Sequence, residues 1–232
     1  MKQRHFWKIP GVKAFPTILV LLLCLHYLVS AVSPQPAFDD DDVQSWNDVP
    51  LTVPIHDRVD LVLTGTVRFG DSVRRLVDRR AAVAVSFKVL DRLSIQPGYT
   101  NIATTVRPNI RRRIEHRLNL AATYKFPFKK FALSNRSLIE RRVREPRKST
   151  RYRNRLQFEL PIKVIDGTKL IISDEVFYDW SLDRWSRNRF TVGINHSINR
   201  KLSLDVYYMR QNDGTTRPGD LHIIRTNWKI KL

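Results

Sequence analysis

The sequence predicts an all-β chain that closes into an antiparallel, up-and-down transmembrane β-barrel of about 10–12 strands. Three observations lead there. Apolar and polar side chains alternate along most of the chain after residue 43. Polar turn signals separate the alternating segments at the spacing of a meander. Aromatic residues crowd the segment ends, where interfacial belts are expected.

The first segment reads as an address. Lys2, Arg4, His5, Lys8 and Lys13 precede an apolar run over 18–25 that Tyr27, Leu28 and Val29 continue, and Val29-Ser30-Ala31 supplies modest side chains for cleavage. This is the three-part pattern of a secretory signal peptide over 1–31. The other reading is a membrane anchor, which needs about 20 apolar residues; this run is shorter and His26 interrupts it. Leu23 before Cys24 speaks against a lipoprotein signal. Cys24 is the single cysteine, so past this segment no disulfide or sulfur ligand is available. The chain's +19 formal charge taken alone suggests a nucleic-acid binder. Cleavage after Ala31 removes four Lys/Arg and no acid, leaving +15 on an exported chain, and export argues against nucleic acid as a partner.

An acidic segment follows over 32–42, with Asp39, Asp40, Asp41 and Asp42, and then the barrel over 43–232. Val59, Leu61, Leu63, Gly65, Val67 and Phe69 alternate with Asp60, Thr64, Thr66 and Arg68. The same period two runs through Ile114 to Lys125, Tyr152 to Leu160, Leu202 to Tyr208 and Ile224 to Leu232. No stretch sustains a helical period with caps. Short links are expected at 54–57, 90–92, 127–130, 166–168 and 199–201, with longer polar ones around 70–77, 103–109, 144–150, 180–187 and 212–220. Short and long links alternate, as they do between the two sides of a membrane barrel. The count of about eleven segments conflicts with the even number expected when both termini lie in the periplasm. Either one segment is misread, or the chain before Gln44 reaches the outer side, with Asp39 to Asp42 inserted in the lumen. Pro97-Gly98 reads as a bulge and Pro161 as a strand's periplasmic end.

Alternation alone does not say which face is inside. A lipocalin-like barrel would hide the apolar face; a membrane barrel shows it to lipid. The segment count and an aromatic belt of Phe69, Tyr124, Phe126, Tyr152, Tyr178, Trp180, Tyr208 and Trp228 favour the membrane.

The ordered landmarks Gln44-Ser45-Trp46-Asn47, Glu115-His116-Arg117, Asn135-Arg136 to Glu140-Arg141, Arg151-Tyr152-Arg153-Asn154-Arg155-Leu156, Ser173-Asp174-Glu175-Val176-Phe177, Asn188-Arg189-Phe190 and Tyr207-Tyr208 resemble domain-of-unknown-function family 2490, over about residues 42–232. The resemblance implies an exported outer-membrane barrel and supplies no activity. Such barrels end on an aromatic residue read by the assembly machinery, whereas Leu232 stands last here.

With the polar face as lumen, the inward set is Arg68, Arg113, Glu115, Arg117, Arg136, Glu140, Arg142, Arg153, Arg155, Glu159, Glu175, Arg189, Asp205 and Arg225. An Arg at the lipid midplane would cost about 2–4 kcal/mol, which drives these residues inward or to the rims. Parity lets Glu140 face Arg153 or Arg155, each pairing being worth ~0.2–1 kcal/mol. Two readings follow: a salt-bridged, plug-like lumen, or a constricted anion-favouring pore. An outer-membrane lipase or deacylase would need a Ser–His–acid set. His116, His196 and Ser197 supply residues but no spacing that ties them. A secreted basic binder of polyanions rests on charge alone. His56, His116, His196 and His222 lack metal-ligand spacing, and Gly70 and Gly214 form no phosphate loop, so neither cofactor nor metal is expected. Expected partners are membrane lipid, lipopolysaccharide and, through the last strand, the barrel-assembly machinery.

Overall fold

The computed structural model describes residues 41–106 and 111–232. The export segment expected over 1–31 and nearly all of the acidic segment expected over 32–42 lie outside the described residues.

Eleven strands are described: β1 (Asp42–His56), β2 (Val59–Gly70), β3 (Arg75–Leu90), β4 (Leu93–Val106), β5 (Arg111–Lys125), β6 (Ala132–Val143), β7 (Lys148–Pro161), β8 (Thr168–Asp179), β9 (Arg184–Ser197), β10 (Leu202–Asp213) and β11 (Leu221–Lys231). Each pairs with its sequence neighbour, and β11 closes on β1. Ten contacts are antiparallel and the closing one is parallel, from Asp42 opposite Leu221 to Thr52 opposite Lys231. An odd count leaves no other way to close, because the first and last strands of an up-and-down chain then point the same way. The odd number of segments was therefore correct, and β1 starts on the rim opposite to the one where β11 ends.

The seam carries a second irregularity. Its pairing runs through Asp48 opposite Asn227 and resumes at Leu51 opposite Ile230, skipping Val49 and Pro50. Pro50 has no N–H to give; it keeps its place opposite Thr64 on the β2 side. Pro161 ends β7. Pro97 does not make the expected bulge: the register is the same at Ala84–Gly98 and Phe87–Ile95 on either side of it, and Pro97 itself sits opposite Leu120. Gly98 has a packing reason instead, since a Cβ there would lie 2.9 Å from the Ala84 Cβ. Bulges occur near strand ends, at Pro54/His56, Arg68/Phe69, Lys88/Leu90 and Phe177/Tyr178.

The links expected to be long are mostly short. Strand pairing runs on through polar residues, leaving 71–74, 144–147, 180–183 and 214–220 between strands. Polarity signals a loop only where the inside of a fold is apolar. In this barrel the inside is charged, so polar strand ends are ordinary strand.

The outward face is an apolar wall. Leu120, Leu118, Ile194 and Ile224 stay 44–60 % exposed, while Glu140, Asp205 and Phe177 on the inward parity are at most 3 % exposed. This inversion of a soluble protein's pattern makes the chain a transmembrane β-barrel. A small apolar cluster inside, Trp46, Met209, Leu221 and Ile223, sits near the rim where β1 begins.

Candidate functional site: an arginine-lined lumen

Every lumen residue expected from parity lies on the inward face. Alternation on β5, β6 and β7 sends one side chain in two into the same space, and three carboxylates organise the arginines there. Glu115 accepts from Arg142 at 2.7 and 3.1 Å and from Arg117 at 2.6 Å. Glu140 accepts from Arg151 at 2.6 and 3.0 Å and from Arg153 at 2.8 Å. Arg153 reaches on to Glu175 at 2.7 Å, and Arg189 lies 3.7 Å from the same carboxylate. Glu140 is thus opposite Arg151 and diagonal to Arg153. The alternative partner Arg155 is one pleat too far. Arg151 belongs to the same alternation as Arg153 and Arg155, so parity was the signal that should have included it.

Phe177, which no polar pattern marks as a lumen residue, is fully buried at the centre of this network. The guanidinium carbons of Arg151, Arg153, Arg187 and Arg189 lie 4.7–5.5 Å from its ring centroid. A desolvated cation over an aromatic face gains about 2 kcal/mol or more, so the ring holds together guanidiniums that would otherwise repel one another.

Across the lumen, Asp48 accepts from Thr66 at 2.6 Å and Arg225 at 2.7 Å, and Asp78 takes two bonds from Arg80. Arg68 is stacked 3.4 Å from the Trp46 centroid, and Trp46 donates to Gln44 at 2.8 Å. Lower down, fully buried Asp205 gathers Asn195, Asn227, Lys229 and the Tyr207 hydroxyl. Arg187 pairs with Asp213 near the opposite rim. Asp48, Asp78, Arg80, Arg187 and Asp213 also face the lumen, and the parity reading left them out. Glu159 stands apart from the central network, beside Gln157 and Lys169 near the other end of β7.

The arginines outnumber their acids. Arg136 faces Arg155 directly across β6–β7, and neither is in an ion pair among the described residues. The Nε atoms of Arg68 and Arg155 are buried without a hydrogen-bond partner. A central cavity of about 300 Å³ is walled by nine arginines, Arg136 among them, against two carboxylates, Asp48 and Glu140. A vestibule of about 910 Å³ at the β1 rim shares Trp46, Arg68, Arg187 and Arg189 with it, and Arg113 is on its wall. Asp42 stays at this mouth, its carboxylate accepting from the Asp71 and Ser72 amides, while Asp41 pairs with Arg210. Neither aspartate is inserted among the central arginines, contrary to expectation: backbone amides and a rim arginine hold them first. Asp39 and Asp40 lie outside the described residues.

The aromatics form two groups. Tyr124, Phe126, Phe128, Phe131 and Phe158 are in ring contact at 4.6–6.3 Å near one end. Tyr178, Trp180 and Trp185 are at 5.4–5.9 Å near the other. Trp228 and Tyr208 point outward and are about 40 % exposed, Tyr208 stacking near His222. Phe69 closes β2. Tyr152 joins neither group and lies 3.1 Å from the Ser137 hydroxyl on the outer wall. The histidines weighed for catalysis also face outward. His116 contacts the Tyr99 hydroxyl at 2.6 Å, His196 contacts Thr168 at 2.8 Å, and Ser197 pairs in register with Ser203.

The model of a family described as a protein of unknown function, DUF2490, matches residues 43–221, nearly the whole described barrel. The chain belongs to this family. No curated protein sequence matches it. Among solved structures, the DUF2490 chain is similar to an anion-selective porin from Comamonas acidovorans, with 13 % identity and TM-score 0.40, covering 75 % of this chain and 54 % of that one. It is also similar to the NanC porin (9 % identity, TM-score 0.48, 82 % and 99 % covered) and the KdgM porin (12 %, 0.41, 75 % and 92 %). The DUF2490 chain spans about half the length of the first of these.

Proposed function

We propose that this DUF2490 barrel is a narrow, anion-favouring pore of the Gram-negative outer membrane, without enzymatic activity. One observation carries the reading: nine arginines against two carboxylates around a central cavity that opens towards a wider vestibule. Excess fixed positive charge between low-dielectric walls concentrates anions and repels cations. The constriction is narrow because an eleven-strand barrel is filled largely by its own side chains. Its apolar wall contacts lipid, its rim contacts lipopolysaccharide, and β11 is the strand offered to the assembly machinery.

The purified chain in planar bilayers should give small single-channel steps whose reversal potential in a salt gradient reports anion preference. Cation preference would overturn the reading. A second reading, a closed structural lumen, is favoured by the run of ion pairs from Arg142 through Glu115, Arg117, Glu140 and Arg153 to Glu175. It predicts a folded barrel with no conductance at all.

A further inference from the structure

Of the nine arginines on the wall of the central cavity, two lie in no ion pair among the described residues, Arg68 and Arg136. The guanidinium of Arg68 is stacked 3.4 Å from the Trp46 ring centroid. Arg136 has neither a paired carboxylate nor an aromatic face among the described residues. Its register partners are Thr123 on β5 and Arg155 on β7. Arg155 is in the same condition for a different reason. Glu175 stands opposite it across β7–β8, but that carboxylate turns to other arginines: Arg153 donates to it at 2.7 and 3.2 Å, and Arg189 lies 3.7 Å away. Glu140, on the same face of β6 as Arg136, is taken by Arg151 and Arg153 at 2.6–3.0 Å. The Arg155 Nε is buried without a hydrogen-bond partner. Two guanidiniums thus stand side by side while the acids around them serve their neighbours.

The chemistry of the pair selects its ligand. Directly opposed residues have Cβ atoms about 4.5–5.5 Å apart, so two side chains as long as arginine can close on one point in the cavity. Each guanidinium is a planar fork that grips two oxygens of one anion. A tetrahedral oxyanion has an edge of two oxygens for each fork, and a double negative charge matches the two cations. A carboxylate has one edge and one charge, and chloride has no edge at all. A dianion between the forks also removes the like-charge repulsion across β6–β7, and low-dielectric walls strengthen both effects.

We propose that Arg136 and Arg155 form a binding site for a doubly charged tetrahedral oxyanion, of the sulfate or phosphate class, on the wall of the central cavity. The site rests on the anion-favouring lumen argued above for the ion's access, and it names the anion that this lumen holds best. The ion enters from the vestibule, past Arg68, Arg187 and Arg189, which line both spaces. These three attract an anion towards the cavity, and the pair on β6 and β7 recognises its shape.

Calorimetric titration of the purified chain in detergent tests it, at constant ionic strength and about pH 8, where phosphate is doubly charged. Sulfate and phosphate should each bind at one site, about tenfold or more tighter than acetate. Arg136→Lys and Arg155→Lys keep the charge and lose the fork, and each should weaken sulfate binding about tenfold or more. Arg141→Lys, on the outer wall beside Thr150, should leave it unchanged. Sulfate bound no tighter than acetate, or bound equally well by the variants at 136 and 155, would overturn the proposal. If neither of those variants folds, the comparison of sulfate with acetate on the native chain decides. Recording in planar bilayers separates the site from the pore. An anion-selective channel whose chain fails these binding tests keeps the pore and loses the site. Saturable sulfate binding through both arginines, in a chain that conducts nothing or prefers cations, keeps the site and loses the pore.

Discussion

Arg136 and Arg155 stand directly opposite each other across the β6–β7 pairing, both in the lumen and neither neutralised by a carboxylate of its own. Like charges in direct register weaken a strand pair. Their retention beside a cavity already rich in arginine is what an anion pathway needs and what a sheet built only for stability would avoid. Arg136→Gln should therefore raise stability by about 0.2–1 kcal/mol and lower anion preference. The urea midpoint of unfolding from lipid and the reversal potential are the two readouts; a variant that loses stability and keeps full selectivity contradicts this assignment.

Glu140 has the opposite role. Its carboxylate receives Arg151 and Arg153 and lies 3.7 Å from Arg117, and it is 3 % exposed. Removing one partner from a buried ion-pair network leaves uncompensated charge at a cost of about 3–5 kcal/mol. Glu140→Gln should lower the unfolding free energy by an amount in that range, measured by chemical denaturation of the refolded barrel. A change below about 1 kcal/mol would mean that the network is hydrated and each pair expendable.

Gly193 and Gly65 make a matched pair for a packing test. A Cβ at Gly193 would lie 2.2 Å from the Val206 carbonyl oxygen and 2.7 Å from Tyr207 Cα, whereas one at Gly65 meets nothing within 4 Å. Gly193→Ala should destabilise by about 1–3 kcal/mol, the usual cost of overpacking. Gly65→Ala should be neutral or stabilising by about 0.5–1 kcal/mol through the entropy lost with glycine. Thermal unfolding in detergent separates the two.

The assignment of faces is tested by one residue's step along β5. Leu120 faces outward and is 52 % exposed, while Asn119 faces the lumen and bonds Thr100 at 3.0 Å. Leu120→Arg should cost about 2–4 kcal/mol in the bilayer, and its yield of folded barrel should fall. Asn119→Arg should fold near wild-type levels and increase anion preference. Reversed outcomes would exchange inside and outside.

Alternation made the faces readable, because the side-chain period of a strand is two wherever its ends lie. Thus Arg68, Glu115, Arg153 and Arg225 needed no structure to be placed inside, nor Leu63 and Tyr208 outside. Parity is silent on how far neighbouring strands are staggered. The Glu140–Arg151 pairing, one pleat from the expected partners, therefore had to come from register. Phe177 was hidden for a different reason: an aromatic among polar alternation looks misplaced until the four guanidiniums around its ring are seen together. Loop lengths were overestimated at one rim because polar strand ends resemble turns.

The sequence by itself determined an eleven-segment β-chain with one face for lipid and one for charge, since local alternation and turn residues carry that information within a dozen residues. Closure was decided only in three dimensions. Whether β1 joins β11 in parallel, which arginines find a carboxylate and which are left facing each other depend on the register of strands whose partners are set by the whole circuit of the barrel. A shift of two residues in any one pairing would keep every face and change every partner.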